Sequence, residues 1–343
     1  MLGREPPGPQ NLPMTWQRSE YQRLQPLLTE AQTAVLVTHV HPDADGVGSG
    51  VALLRFLRQR GLTARFMTTH ELPLSLRFLS PDGEAELYDP ASMATFVREA
   101  DLIFTLDNSS VERLGPLLPD VKASRATRIC IDHHLVREEF WQVNLIDEGA
   151  CATGQMILDC IDELGGSLDR ETALAIYTAI WSDTGGFRFP KTSGDLHRLV
   201  GRLLDAGVKP HQVYQELNER NLPAAMRLMA ETLLRLQFTA GGRVAWVSVP
   251  QDLMAACGSG LEDPSSVLNH MLAIEGVEIG LLLREEANGQ TKISLRSKPQ
   301  HDVNALALVH GGGGHRNAAG AVTDLKLSDC TSRLVAEAEA VLA

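Results

Sequence analysis

Short apolar runs alternate with amphipathic stretches through the first half of the chain. The run TAVLVT (33–38) has the unbroken apolar pattern of a buried strand. A polar turn follows, and VGSGVALLRFLRQRG (47–61) then shows helical spacing that closes at Gly61. TARFMTT (63–69), DLIFTL (101–106) and TRICI (127–131) repeat the strand pattern between helix-like segments. Strands alternating with helices predict an α/β fold, a parallel sheet covered on both faces. The stretches 152–166 and 171–186 have helical spacing and end in glycines.

From about 193 to 237 the pattern is almost wholly helical, broken at Gly207, Pro210 and Pro223. Strands return at RVAWVSV (243–249), VEIGLLLRE (277–285) and TKISLRS (291–297), with helices at 264–274, after Asp302, and at 328–342. The expected organisation is a parallel-sheet domain over 1–192, a helical linker over 193–225, and a smaller mixed α/β domain over 226–343. Residues 1–13 read as a disordered lead-in, with Met14 as an alternative start.

Composition narrows the function classes. A length of 343 residues fits two domains, and 44% hydrophobic residues is ordinary for a globular protein. A net charge of −12 argues against a scaffold for long nucleic acid. The five cysteines are odd in number and form no Cys-x-x-Cys pair, so neither a thiolate zinc site nor a disulfide framework is expected. With no long apolar run and no signal-peptide pattern, a cytoplasmic protein without membrane attachment is the expectation.

The chemistry gathers at strand ends. After TAVLVT comes His39-Val40-His41-Pro42-Asp43-Ala44-Asp45, after DLIFTL comes Asp107-Asn108-Ser109, and after TRICI comes Asp132-His133-His134. Asp183 follows the apolar stretch 171–182. Ligands of open parallel sheets bind outside the carboxyl ends of the strands. Carboxylates gathered there repel one another unless a cation compensates them. Oxygen ligands with a minority of imidazoles select Mn²⁺ or Mg²⁺, and two ions sharing one carboxylate suit in-line phosphoryl hydrolysis. Each aspartate alone would serve equally well as a helix cap or turn residue. Four such junctions together favour the metal reading.

In the second half, the glycine run 311–314 lets backbone approach an anion closely, and His315 adds a donor at the expected start of a short helix. Arg296 and Ser297 end a strand and are read as a phosphate clamp. Lys292, Arg296, Lys298 and Arg316 stand against Asp302 alone between 291 and 316, a local positive patch in an acidic chain.

The set H-V-H-P-D-A-D-G-V-G-S (39–49), D-N-S-S (107–110), I-D-H-H (131–134) and S-D-T-G-G-F (182–187) resembles the four motifs of the DHH phosphoesterases, in the same order. S-L-R-S-K (294–298) and G-G-G-G-H-R-N-A-A-G (311–320) resemble the DHH-associated C-terminal domain of the nanoRNase and pAp-phosphatase branch. The resemblance implies one metal on His39, Asp43 and Asp107, and a second on Asp45, Asp107, His133 and Asp183. It implies that Asp132 fixes the ring of His133 and that His134 donates to the scissile phosphate. Arg296, Ser297, Gly313, Gly314, His315 and Asn269 would bind substrate, with the active site in the interdomain cleft. His41 is read as a non-ligand.

The implied activity is Mn²⁺-dependent hydrolysis of short oligoribonucleotides such as pApA to mononucleotides, with 3′-phosphoadenosine 5′-phosphate as a second substrate. A cyclic-di-AMP phosphodiesterase is the nearest alternative. A RecJ-like single-strand exonuclease, a family II pyrophosphatase and a catalytically silent nucleotide sensor stand further off. The sequence leaves the oligomeric state open and admits a homodimer.

Overall fold

The computed structural model describes residues 17–134, 138–258 and 264–342. The segment 1–13 read as a lead-in lies outside the described residues. The chain divides into two compact units, Met1–Arg220 and Asn221–Ala343. No helix among the described residues is long and apolar enough to cross a membrane.

The first unit holds a six-stranded sheet of β1 (Thr33–Val37), β2 (Thr63–Thr68), β3 (Ala85–Leu87), β4 (Leu102–Leu106), β5 (Thr127–Asp132) and β6 (Val143–Ile146). Their spatial order is β3-β2-β1-β4-β5-β6, and every pairing is parallel. The expected strands therefore form, and the short β3 and β6 are added at the edges. Both faces of β1 are buried, because alternate residues feed different cores: Ala34 and Leu36 one, Val35 and Val37 the other. The order reverses between β1 and β4, so the chain leaves these two strands in opposite directions. Such a switch point opens a crevice at the carboxyl end of the sheet.

The helix Ala44–Gln59 starts directly after β1 and packs against helices Thr153–Glu163 and Arg170–Asp183. Small residues permit this contact. A Cβ at Gly48 would lie 2.4 Å from the Ala175 carbonyl oxygen, and, where the other two helices meet each other, one at Gly154 would lie 2.4 Å from Ala179 Cβ. The stretch 193–225, read as a linker, divides: residues up to Arg220 belong to the first unit and the rest to the second. Its helix Gly194–Asp205 sends Leu196, Leu199, Val200 and Leu203 into the first unit's core, and Val213 of helix Pro210–Asn218 joins them. The apolar spacing that made this stretch look helical also makes it core.

The second unit carries a mixed sheet of β7 (Gln237–Thr239), β8 (Val244–Val249), β9 (Ile279–Glu285), β10 (Thr291–Ser297), β11 (Gly313–His315) and β12 (Ala318–Thr323). Its order is β11-β12-β10-β9-β8-β7, with only β8 and β9 parallel. One face packs Ile293 and Leu295 with Leu334 of the helix Leu327–Leu342, and the other packs Ala245 and Leu282 with Leu268 and Met271 of the helix Val267–Ala273.

Candidate metal centre

Three junctions at the carboxyl ends of β1, β4 and β5 converge with the end of helix Arg170–Asp183. Among the described residues, ligand atoms of His39, Asp43 and Asp107 lie within 4.8 Å of one another, and so do those of Asp45, His133 and Asp183. Asp107 spans the two groups. Its Oδ2 is 3.6 Å from His39 Nε2 and its Oδ1 is 3.5 Å from His133 Nε2. Asp107 holds a φ of 55°, unusual for a residue with a Cβ, and its amide donates to the Ile131 carbonyl at 3.1 Å. Strained backbone of this kind is typically retained where a side chain must be aimed.

Asp43 divides its two oxygens between a helix cap and the cluster. Asp43 Oδ1 accepts from the amides of Asp45 and Gly46, capping helix Ala44–Gln59, while Oδ2 faces His39 Nε2 at 3.5 Å. Asp45 is fully buried and held by a second helix. Its oxygens accept from the amides of Thr153 at 2.7 Å and Gly154 at 2.8 Å, and from Ser49 Oγ at 3.1 Å. Thr153 Oγ1 also reaches Asp107 Oδ1 at 3.3 Å. Sequence reasoning missed Thr153 and Gly154, which act on Asp45 through backbone. The available signal was that a helical pattern begins there, and helix N-termini hold carboxylates.

Both inner imidazoles turn Nδ1 to a main-chain carbonyl and Nε2 to the carboxylates. His39 Nδ1 lies 2.8 Å from the Val40 oxygen, and His133 Nδ1 lies 3.4 Å from that of Ala150. This corrects the expected partner of His133, because Asp132 does not fix that ring. Asp132 Oδ1 instead sits 2.6 Å from His134 Nδ1 and accepts from the His134 amide at 3.2 Å. Successive residues at a strand end point to opposite sides, so Asp132 and His134 share one side and His133 takes the other.

The electrostatics show how strongly the cluster draws positive charge. Burial opposes a charged imidazole at His39, yet the Asp107 and Asp43 carboxylates outweigh it and raise its pKa to about 10. Burial opposes charge at His133 too, and Asp107, Asp183 and Asp45 raise it to about 11. Burial pushes the Asp45 carboxyl well up, and Asp107 and Asp183 push it further. At Asp107 burial also pushes upward, but bonds from His133 and His39 reverse the effect and hold it well below the usual range. An oxygen-rich donor set with two neutralisable imidazoles and no thiolate fits hard divalent cations.

The second-unit candidates sort by face. His315, Ala318, Arg296 and Gly280 form one registered row across β11, β12, β10 and β9. A Cβ at Gly280 would meet Leu268 and Met271 at 3.3–3.5 Å, so the helix carrying the exposed Asn269 lies on this face. Ser297 lies on the other face, beyond Ile293 and Leu295, and is 6% exposed. Its hydroxyl donates to the His301 carbonyl and accepts from Asn317 Nδ2, each at 2.9 Å. The joint clamp of Arg296 and Ser297 therefore does not form, because adjacent strand residues cannot share a face. Asn317, which ties this loop, was not foreseen.

The glycine run also takes a form other than the expected one. Gly311 (φ 74°) and Gly312 close the helix Asn304–Val309, their amides donating to the Leu308 and Ala307 carbonyls. Gly313 to His315 form strand β11, not a helix start. A Cβ at Gly312 would lie 2.0 Å from the Gly320 oxygen, and one at Gly314 would lie 2.5 Å from that of Ala318. Close strand approach thus requires glycine at two of these positions. Gly313, Gly314 and His315 are exposed.

The chain matches the DHH family, N-terminal domain, over residues 33–180 and the DHHA1 domain over residues 262–343. It is 32% identical over 286 residues to the bifunctional oligoribonuclease and PAP phosphatase NrnA of Thermus thermophilus, covering 83% of this chain and 82% of that protein. The Bacillus subtilis protein of the same name is 26% identical over 84% of this chain and 88% of its own length. Among solved structures, an exopolyphosphatase-related protein from Bacteroides fragilis matches with a TM-score of 0.88 at 26% identity, over 96% of this chain and 97% of that one. The parallel sheet, the motifs at its strand ends and these matches together show that the chain belongs to the DHH family, with a DHHA1 domain in its second unit.

Proposed function

We propose that the protein is a divalent-metal-dependent phosphodiesterase that degrades short oligoribonucleotides such as pApA to mononucleotides in the cytoplasm, and that it also removes the 3′-phosphate of 3′-phosphoadenosine 5′-phosphate. The observation that carries this reading is Asp107, whose two oxygens face the imidazoles of two separate ligand groups at 3.6 and 3.5 Å. The names of the Thermus and Bacillus relatives support the substrate class.

His39, Asp43 and Asp107 would hold one ion, and Asp45, Asp107, His133 and Asp183 a second, with Mn²⁺ preferred and Mg²⁺ tolerated. Ions held there supply Lewis acidity and lower the pKa of water for in-line attack on phosphorus. The chain's own groups do the rest. Asp132 holds His134 Nδ1 and would thereby present the ring's other nitrogen to the scissile phosphate. Although burial opposes charge on the ring, Asp132 and Asp107 raise the His134 pKa, which keeps a proton on that nitrogen for the substrate phosphate. Arg296 and His315 bind the non-reacting phosphate, with Gly313, Gly314 and Asn269 around it.

Product analysis over time tests this on 5′- and 3′-labelled RNAs of graded length, with 3′-phosphoadenosine 5′-phosphate and cyclic-di-AMP alongside. Mononucleotide release from the shortest RNAs, abolished by EDTA and restored best by Mn²⁺, is expected. Full turnover after dialysis against EDTA, or hydrolysis of the cyclic dinucleotide alone, would overturn the reading.

A further inference from the structure

The first unit has a second polar concavity that contains none of the metal-centre residues. It is a cavity of about 350 Å³ whose walls bear Arg18, Lys191, Arg198 and Arg202 against the single carboxylate of Asp195. A net positive pocket is out of keeping with a chain of net charge −12. The cations come from separate segments: the 3₁₀ turn Arg18–Arg23, the loop before Ser193, and helix Gly194–Asp205.

Two of the guanidiniums are held from behind. Arg202 donates to both oxygens of Asp162 at 2.7 and 2.8 Å, and Arg18 lies 2.6 Å from Asp159. Neither carboxylate lines the cavity, so both fix their guanidiniums from outside it. Arg198 pairs with Asp195 at the rim, where both are largely exposed, and an exposed pair of this kind is readily exchanged for another anion. Lys191 Nζ donates to the Ala150 carbonyl at 2.8 Å, which keeps its charge at the wall. Ser193 caps helix Gly194–Asp205, a twelve-residue helix whose first turn opens on the cavity and adds its dipole.

Leu196 and Leu199 add apolar wall beside these charges. The volume sits near the lower end of the ~300–1,000 Å³ typical of small-molecule pockets, which leaves room for more than a bare oxyanion. We propose that this cavity is a binding site for a phosphoryl group, carried by a small nucleotide or present as free phosphate. The ligand's charge would be met by Arg18, Lys191, Arg198 and Arg202. Its organic part, when present, would lie on the leucines. The cavity shares no residue with the metal centre.

Calorimetric titration of the full-length protein, dialysed against EDTA and at low salt, tests this with AMP, inorganic phosphate and adenosine. Saturable binding of AMP is expected, with none for adenosine. AMP tighter than phosphate would identify the nucleotide as the occupant, and equal affinities would identify the phosphoryl group alone. Arg198→Glu, at a side chain 74% exposed and therefore tolerated by the fold, should weaken binding by roughly tenfold or more. Because Arg296 is itself proposed to hold a nucleotide phosphate, the effect of Arg198→Glu should appear to the same extent in an Arg296→Ala background. Absence of binding, or an isotherm unaltered by Arg198→Glu in both backgrounds, would each overturn the proposal. No turnover is measured, so a failure of the proposed catalytic activity would not be mistaken for a failure here.

Discussion

Asp132 Oδ1 lies 2.6 Å from Nδ1 of His134, the outermost imidazole of the cluster, and the same carboxylate makes no bond to the ring of His133. The carboxylate therefore holds the most exposed ring of the three rather than either of the two buried ones. Asp132→Asn should lower kcat by about 10–100-fold while leaving Mn²⁺ affinity nearly unchanged. The sign in pH follows from the raised pKa of His134, for which burial is outweighed by Asp132 and Asp107. An imidazolium donor is lost as pH rises, and in the variant that loss should begin at lower pH. Rate profiles and metal titrations of both proteins check this, and a parallel loss of metal binding would contradict it.

Asp107 should prove the least replaceable carboxylate. Asp107→Ala removes a ligand from both groups, whereas Asp43→Ala or Asp45→Ala removes one from a single group. Metal content by elemental analysis should fall toward zero for the first and by about half for the others, with activity following the same order. Equal, partial losses for all three would exclude the bridge. His41→Ala should keep most of the activity.

Arg296 and Ser297, adjacent in sequence, should separate in their effects. Arg296→Ala should reduce kcat/KM on a 5′-phosphorylated dinucleotide by roughly tenfold to a hundredfold, yet barely alter cleavage of bis(p-nitrophenyl) phosphate. Ser297→Ala should instead lower the unfolding free energy by ~1–2 kcal/mol, because it strips a buried partner from Asn317 and His301. Kinetics on both esters and urea denaturation of each variant distinguish the two roles.

The contact of helix Ala44–Gln59 with helix Arg170–Asp183 leaves no space at Gly48. Alanine there improves helix propensity by up to ~1 kcal/mol, but its Cβ would fall 2.4 Å from a main-chain oxygen. Steric cost should win, giving a net destabilisation of about 1–3 kcal/mol by urea denaturation. Unchanged or raised stability would show that the helices separate freely.

Asp159 gives a stability signature in pH. Burial raises its carboxyl to about 6, against an ordinary 3.8, despite Arg18 nearby. A raised carboxyl contributes stability that is full below the ordinary range and lost as pH rises through the folded value. Asp159→Asn mimics the protonated form, so it should stabilise the protein by ~1–3 kcal/mol near neutral pH. The gain should vanish toward about pH 4. Denaturation midpoints across that range check the trend, and a variant less stable at neutral pH would contradict it.

Much of this was legible in the sequence because its signals were local. Short uninterrupted apolar runs such as TAVLVT, bounded by turn residues, suit strands buried on both faces, and polar residues directly after them then lie at the sheet's carboxyl end. What escaped was set by contacts between segments distant in sequence. The amides that hold Asp45 lie 108 and 109 residues away, at Thr153 and Gly154. The glycine run read as an anion loop because its packing against Gly320 and Ala318 depends on strand register, which composition does not encode. Ser297 was misjudged for a simpler reason, since strict alternation from Arg296 already put it on the opposite face.

Asp43 and Asp45 reach the cluster already fastened to the backbone amides of two helices. The ligand arrangement is therefore completed by folding and does not wait for an ion to pull it together, unlike a zinc finger that is unfolded without metal. A cation entering there would replace one positive charge by another on a finished frame. If the proposed metal dependence holds, starvation for the ion would leave folded, silent protein in reserve, ready to resume work when the ion returns, with no need for resynthesis.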